Sequence, residues 1–465
     1  MNIDRETRRH FLARSAAGGA LALRALRGQT PEPVPIPGLE VGEPTRSLAL
    51  RNVTVIEGTG PLAMPGLTVV IAGNKIQSVG RAAVAAGVPT IDAGGKFLIP
   101  GLWDMHVHDR RGEINPLFIA NGVIGVRTMG GVLAVAREFL KRREEVATGT
   151  RLGPRYVVGS QTLWGSEGQN PEEGRLAVRN AVKDGADFLK VYDSLSAESY
   201  FAIVDEAKRL NVSFCGHVPV PPGLEACAKA GQKSVEHMMG VFGYLRQITG
   251  VNDGGAGVRV ERLSPEKAAA LFDVFVKYQV WLCPTITTIY GLAGYPRMRE
   301  DPRLKYFNAA TRAGWERFLK GQSETGPASL PTVRRRYETL SLIGAMHKAG
   351  VNILAGTDTS LNPAQPYVMP GFGVHDELRQ LTIVGLSTMD ALRTATYNPA
   401  KYFGLLELLG TVESGKLAEL VLLDANPLDD ITNTTKINMV FTGGRVYRRP
   451  ALDAMLSAVE ANARN

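Results

Sequence analysis

Apolar and polar positions change rhythm twice along this chain. The stretches LALRNVTVIEG (48–58), GLTVVIAGNKIQSVG (66–80) and PTIDAGGKFLIPG (89–101) are short β-rich runs broken by glycine, and they predict strands. GTVESGKLAELVLLD (410–424) and INMVFTGGRVYRRP (437–450) return to the same style near the far end. Between them, short apolar runs alternate with helical patterns, the mark of repeated βα units and a parallel sheet. Eight strands are expected there: 102–108, 123–129, 154–160, 187–193, 212–217, 233–237, 280–285 and 351–358. AESYFAIVDEAKRL (197–210) and PPGLEACAKAG (221–231) are examples of the intervening helices.

Eight strand–helix repeats close into a barrel, so the fold class is α/β: a (β/α)8 TIM barrel with a small β-sandwich built from both chain ends. The expected division is a barrel over 100–404 and a sandwich over 45–99 plus 405–450. Neither half of the sandwich carries enough apolar surface to fold alone. The segment near 290–345, rich in Arg, Tyr and Gly, is too long for a plain connection and predicts a lid insertion over the barrel mouth. Residues 1–44 read as an export-signal-like segment and linker. Arg8-Arg9 precede Phe11-Leu12 and a small-residue apolar stretch, as in a twin-arginine signal, and five prolines follow within 28–44. Arg24 interrupts the apolar stretch and no clear cleavage site follows. The expectation is an exported, periplasmic protein, with a disordered arm on a cytoplasmic protein as the alternative.

A length of 465 residues exceeds one ordinary core of roughly 100–200 residues, in keeping with a barrel plus a second unit. The net charge of +8 is spread along the chain, and Arg334-Arg335-Arg336 is too short a cluster for a nucleic-acid face. No apolar run reaches the ~18 residues of a membrane span. Cys215, Cys227 and Cys283 show no C-x-x-C spacing and read as buried free thiols. The expected partner is a small-molecule amide substrate, and the expected assembly is a homo-oligomer.

The histidines carry the chemistry. GLWDMHVH (101–108) puts His106 and His108 two apart in a strand, hence on one face, where two nitrogen donors suit a metal ion. H-x-H alone is a weak signal. Barrel sites, however, lie at the C-terminal ends of the strands, and those ends also carry His217, His237 and Asp358, with Lys190 near the end of the fourth. Four of the seven histidines thus converge on one mouth.

The motifs IPGLWDMHVH, NGVIGVRTMGG, GADFLKVYD, GHV, VEH, GTDT, HDEL, ALRTATYNPAKYFGL and GTVESGKLAELVLLDANPL, in this order, resemble the amidohydrolase superfamily, in its branch of binuclear-metal prolidases and imidazolonepropionase-related enzymes. The resemblance runs from about Leu48 to Arg448. It implies two divalent ions, with zinc the expected metal for mixed nitrogen and oxygen ligands. His106, His108, Lys190 and Asp358 would hold one ion, and Lys190, His217 and His237 the other. An ammonium cannot ligate a cation, so the bridging Lys190 is expected to be N6-carboxylated, which turns it into an anionic two-oxygen group.

The implied reaction is metal-dependent hydrolysis of amide C–N bonds by an activated hydroxide. Asp358 would be the catalytic proton carrier as well as a ligand, although ligation alone would also account for it. Tyr192 stands at i+2 from Lys190 and either contacts the oxyanion or substrate, or packs. His375 is expected to be structural or supporting, His347 and His10 bystanders, and Cys215, two before His217 on the same strand face, a packing residue. Two departures stand out: Arg127-Thr128 where the resemblance calls for Arg-Asp, near the expected mouth, and Glu419 where it calls for Asp. The same site would also suit a lactone, carbamate, phosphotriester or cyclic imidazolone. A metal-free binding barrel is the reading from another class, and the filled ligand positions weigh against it.

Overall fold

The computed structural model describes residues 43–44, 47–60, 62–109, 111–165, 168, 170–250, 263–293, 297–321 and 340–464. Nearly all of the export-signal-like segment and part of the 290–345 insertion lie outside them.

Six strands open the fold: β1 (Glu43–Pro44), β2 (Ser47–Val55), β3 (Met64–Ala72), β4 (Lys75–Gly80), β5 (Thr90–Asp92) and β6 (Phe97–Pro100). Seven parallel strands follow in sequence order around the barrel: β7 (Leu102–Val107), β8 (Val123–Thr128), β9 (Arg155–Leu163), β10 (Phe188–Val191), β11 (Phe214–Gly216), β12 (Ser234–Glu236) and β13 (Trp281–Cys283). The chain then returns to the first sheet with β14 (Leu420–Leu423), β15 (Ile437–Thr442) and β16 (Arg445–Arg448).

The two ends meet in one continuous sheet of order β1-β16-β15-β14-β6-β2-β3-β4, with β5 beside β2. Its central seam pairs Phe97–Pro100 antiparallel with Leu420–Leu423. Leu50, Val69, Ile71 and Leu98 from the first half share a core with Leu420, Leu422 and Phe441 from the second. Neither set closes a core by itself, and this is why the ends pair.

All six residues of β7 and all six of β8 are buried, as a parallel sheet covered by helices requires. The helices start where the sequence supplies a cap. Asn170, Ser196 and Ser264 accept from the backbone N–H of Glu173, Ser199 and Lys267, which satisfies donors the first turn leaves open.

The eighth strand differs from expectation. Residues 351–358 do not form a regular strand; the segment touches its neighbours through single bridges, Leu282 with Ile353 and Val107 with Thr359. Backbone bonds still tie it on both sides, from Leu354 N to Leu282 O and from Met105 N to Ala355 O. The barrel therefore closes through an irregular seam, and that seam carries Asp358. Asp104, buried in β7, explains part of the irregularity: its carboxylate accepts from both the amide and the hydroxyl of Thr357, which draws the segment toward a side chain.

The described part of the insertion includes the helix Ala309–Lys320. Arg111, in the loop after β7, donates to Thr311, and Tyr367, beyond the closing segment, donates to Glu316. The helix thus rests on loops at the C-terminal side of the barrel. Trp315, Phe307, Met298 and Tyr367 give it a small core of its own, shared with Val459 of the C-terminal helix Arg449–Arg464. Among the described residues, no helix is long and apolar enough to cross a membrane.

Candidate metal centre

The strand ends bring the expected residues together. The rings of His108, His106, His237 and His217 form a row, with centroids 5.1, 4.4 and 5.1 Å apart in turn. Asp358 Oδ1 lies 3.4 Å from Nε2 of both His106 and His108, and Asp358 Oδ2 lies 3.9 Å from His237 Nδ1. Lys190 is buried on β10, close enough to act electrostatically on His106, His217, His237 and Asp358.

His237 shows how the backbone serves the cluster. Glu236 ends β12, so in a straight strand His237 would point the opposite way. Its φ of 57° turns it into the left-handed region, and its ring faces the other histidines. Thr285 (φ 47°) and Asp358 (φ 59°) share this conformation at neighbouring strand ends. It is a disfavoured backbone for residues with a Cβ and is concentrated here at the site.

An acceptor sits beside Nδ1 of each imidazole: Glu236 at 2.8 Å from His106, the Thr285 hydroxyl at 2.7 Å from His237, and, at a longer 3.4 Å, the Gly130 carbonyl for His108 and Asp193 for His217. With Nδ1 protonated, Nε2 keeps its lone pair. Nε2 of His106 and of His108 are 3.2 Å apart. Two lone pairs and a carboxylate oxygen at 3.2–3.4 Å repel one another unless a positive centre joins them. Those separations match the edge, about 3.3 Å, of a tetrahedron with bonds of about 2.0–2.1 Å to a metal.

The electrostatics agree. Burial first, then neighbouring histidines and Lys190, holds His106 and His237 well below the usual histidine range; His217 is lowered by burial, Lys190 and His108. Burial lowers Lys190 and pushes Asp358 up to about 7. Lys190 Nζ and Asp358 Oδ1 are buried without a hydrogen-bond partner among the described residues. A cluster that strips its own groups of charge and leaves two polar atoms orphaned fits a cation site, because bound cations reverse that logic. His106, His108 and Asp358 form one candidate ligand group. His106, Glu236 and Cys283 form a second on geometry alone, but Arg127 already neutralises Glu236 there.

Tyr192 lies just past the end of β10 and stacks on His217, with centroids 4.1 Å apart, while Trp164 meets it edge-on at 5.9 Å. Arg127 adds to the sequence reading. It is fully buried inside the barrel, with its guanidinium on Glu236, Ser234 and Tyr402, while Thr128 ends β8 opposite Val107, near the expected mouth, and is buried as well. Cys215 is buried with Met129 and Phe188 and packs. His375 is buried away from the cluster between Thr434 and the Asn121 carbonyl, a structural role. His347 pairs with Asp390, and His10 lies outside the described residues. Glu419 pairs with Arg155 at the base of the barrel.

Glu236, Thr285 and Gln365, which donates to Asp358 Oδ2, are the supporting residues the sequence reading missed. For Glu236 a signal existed, since a carboxylate inside a short apolar strand has to find a cation or a donor.

A parallel barrel that gathers imidazoles, a lysine and a carboxylate at its C-terminal mouth defines a hydrolytic barrel enzyme. Residues 97–447 match the Amidohydrolase family, and the chain belongs to that family, as the motifs implied. The ochratoxinase of Aspergillus niger is 25% identical over 308 residues, covering 60% of this chain and 50% of the relative, so the match spans half of that protein's length. Among solved structures, a bottromycin amidohydrolase superposes with a TM-score of 0.70 at 21% identity, over 95% of this chain and 96% of its own. A putative prolidase from Bifidobacterium longum gives 0.65 at 23% identity, over 90% and 100%. At such identities these likenesses establish the fold.

Proposed function

We propose that this protein hydrolyses amide C–N bonds of small molecules at the barrel mouth, using two divalent ions, with zinc as the metal and Lys190 carboxylated. The observation that carries the reading is the convergence of His106, His108, His217, His237, Lys190 and Asp358, with Nε2 of His106 and of His108 both within 3.4 Å of Asp358 Oδ1. Family membership supports it, as do the names of its relatives, an amidohydrolase and a prolidase among them.

His106, His108 and Asp358 would hold one ion in this reading, and His217 and His237 the other, with carboxylated Lys190 a ligand available to both. The ions, when bound, supply an acidified water and polarise the scissile carbonyl. Asp358 carries the proton from the attacking water to the leaving nitrogen, without which an amine is a poor leaving group. Gln365 ties its second oxygen, which keeps Oδ1 facing the histidines. The Tyr192 phenol donates to the carbonyl oxygen or to a polar group of the substrate, its ring held by the stack on His217.

Metal analysis joined to a screen of amides and esters tests this. About two divalent ions per chain are expected, together with amide cleavage that His106→Ala or His217→Ala abolishes while the fold is kept. A folded wild-type protein that takes up no metal, or a fully active single variant, refutes the reading.

A further inference from the structure

Beneath the four histidines the barrel holds a second, entirely buried polar layer. Glu236 and His106 are both fully shielded from solvent, and His106 Nδ1 lies 2.8 Å from Glu236 Oε2. The carboxylate also receives Arg127 Nη2 at 2.9 and 2.8 Å on its two oxygens and the Ser234 hydroxyl at 2.5 Å. Arg127 is itself fixed from every side. It donates from Nε to the Met105 carbonyl at 2.6 Å and from Nη1 to Ser234 at 2.9 Å and to the Tyr402 hydroxyl at 3.0 Å, and its Cζ lies 5.2 Å from the centre of the Tyr402 ring.

We infer that Glu236, held in place by Arg127, is the positioning residue that sets the tautomer of His106 and so determines how tightly the centre binds metal. This rests on the functional reading above. Paired with a guanidinium, the carboxylate only accepts. The imidazole nitrogen facing it must therefore carry the proton. Nδ1–H points down to Glu236, and the Nε2 lone pair points up, toward His108 Nε2 and Asp358 Oδ1. The other tautomer would set a lone pair against a carboxylate and a proton in the ligand cluster. Supporting carboxylates of this kind typically change metal affinity 10–100-fold when removed. Tyr402 extends the layer to the helix Tyr397–Phe403, outside the barrel strands, so the orientation of His106 is anchored well beyond its own strand.

Two measurements test this. In the metal-free wild-type protein, the ring nitrogen shifts of 15N-labelled histidine, assigned with His106→Gln, should show Nδ1 of His106 protonated; an Nε2-protonated ring overturns the inference whether or not the protein binds metal. The second measurement is zinc affinity by chelator competition, read beside the melting temperature of the metal-free form. Glu236→Gln keeps the shape but must share one acceptor oxygen between Arg127 and His106, and zinc binding should weaken about 10–100-fold. Because that variant strands Arg127, the double variant Arg127→Met with Glu236→Gln accompanies it. There the amide oxygen is left to His106 alone, and zinc affinity should recover most of the loss. Wild-type affinity in folded Glu236→Gln, or no recovery in a folded double variant, overturns the positioning role. A wild-type protein that binds no zinc instead brings down the metal reading itself.

Discussion

Gly356 lies on the closing seam, two residues before Asp358, and has almost no room for a side chain. A Cβ built there would lie 2.5 Å from the Cys283 sulfur, 2.9 Å from His106 Cβ and 3.0 Å from His106 N. The contact with sulfur falls about 1 Å short of ordinary van der Waals distance, and the contact with His106 Cβ about 0.5 Å short. All of these atoms are buried, so Gly356→Ala has to push His106, Cys283 or its own segment aside. Overpacking of this kind costs about 1–3 kcal/mol of stability, a small change in melting temperature for a chain this long. Function should suffer far more. Site geometry tolerates roughly 0.5 Å, and misplacement by about 1 Å can cost about 100-fold. The expected result is a folded Gly356→Ala protein with kcat/KM down on the order of 100-fold and less bound metal, read by steady-state kinetics, metal analysis and thermal melts side by side. Adding Cys283→Ala removes the sulfur clash but not the one with His106, so it should restore stability more than activity. Activity and metal content within twofold of wild type would refute the idea that this close approach places His106.

Lys190→Ala should lose activity on the order of 10³-fold or more, and short carboxylic acids should partly restore it by filling the vacated bridge; no loss, or loss with no rescue at saturating acid, counts against a carboxylated lysine. In metal-free protein, burial holds Asp358 at about 7 against about 3.9 in the unfolded chain. Its stabilising contribution is therefore full below about pH 4 and is lost as pH rises through about 7, so Asp358→Asn should gain on wild type by on the order of 1–4 kcal/mol across that window. A pH-independent difference between the two melting curves refutes this. Trp164→Ala should raise KM about 2- to 12-fold through loss of the edge contact with Tyr192, with kcat little changed, and a fall in kcat alone would place Trp164 elsewhere in the reaction.

The sequence carries the barrel and its ligands because both depend on short-range order. Runs such as LWDMHV and VIGVRT are buried on both faces, and residues that end parallel strands share one mouth by topology. The layer beneath was hidden because its partners are far apart in the chain: Arg127 and Glu236 are 109 residues apart, Arg127 and Tyr402 275. A lone arginine in an apolar strand shows that a partner is needed but not which one. For the same reason the sequence places Arg127 near the mouth without showing that its guanidinium turns inward to Glu236. The turn of His237 into the left-handed region is not legible in the sequence either, since nothing in VEH signals it. Part of the loss of regular pairing over 351–358 follows from Asp104 capturing Thr357, a contact between residues 253 apart.

The seam between β6 and β14 also has a consequence in time. Phe97–Pro100 leaves the ribosome about 320 residues before its partner Leu420–Leu423. At about 5–20 residues per second, that delay is roughly 15–60 s. Throughout it, β6 presents an open backbone edge next to the apolar side chains of β2 and β3, the kind of surface that recruits a strand from another nascent chain. The barrel between the two strands can assemble as it emerges, but this sheet has to wait until β14 has been made. The yield of soluble protein should therefore depend on translation rate and on what shields that edge.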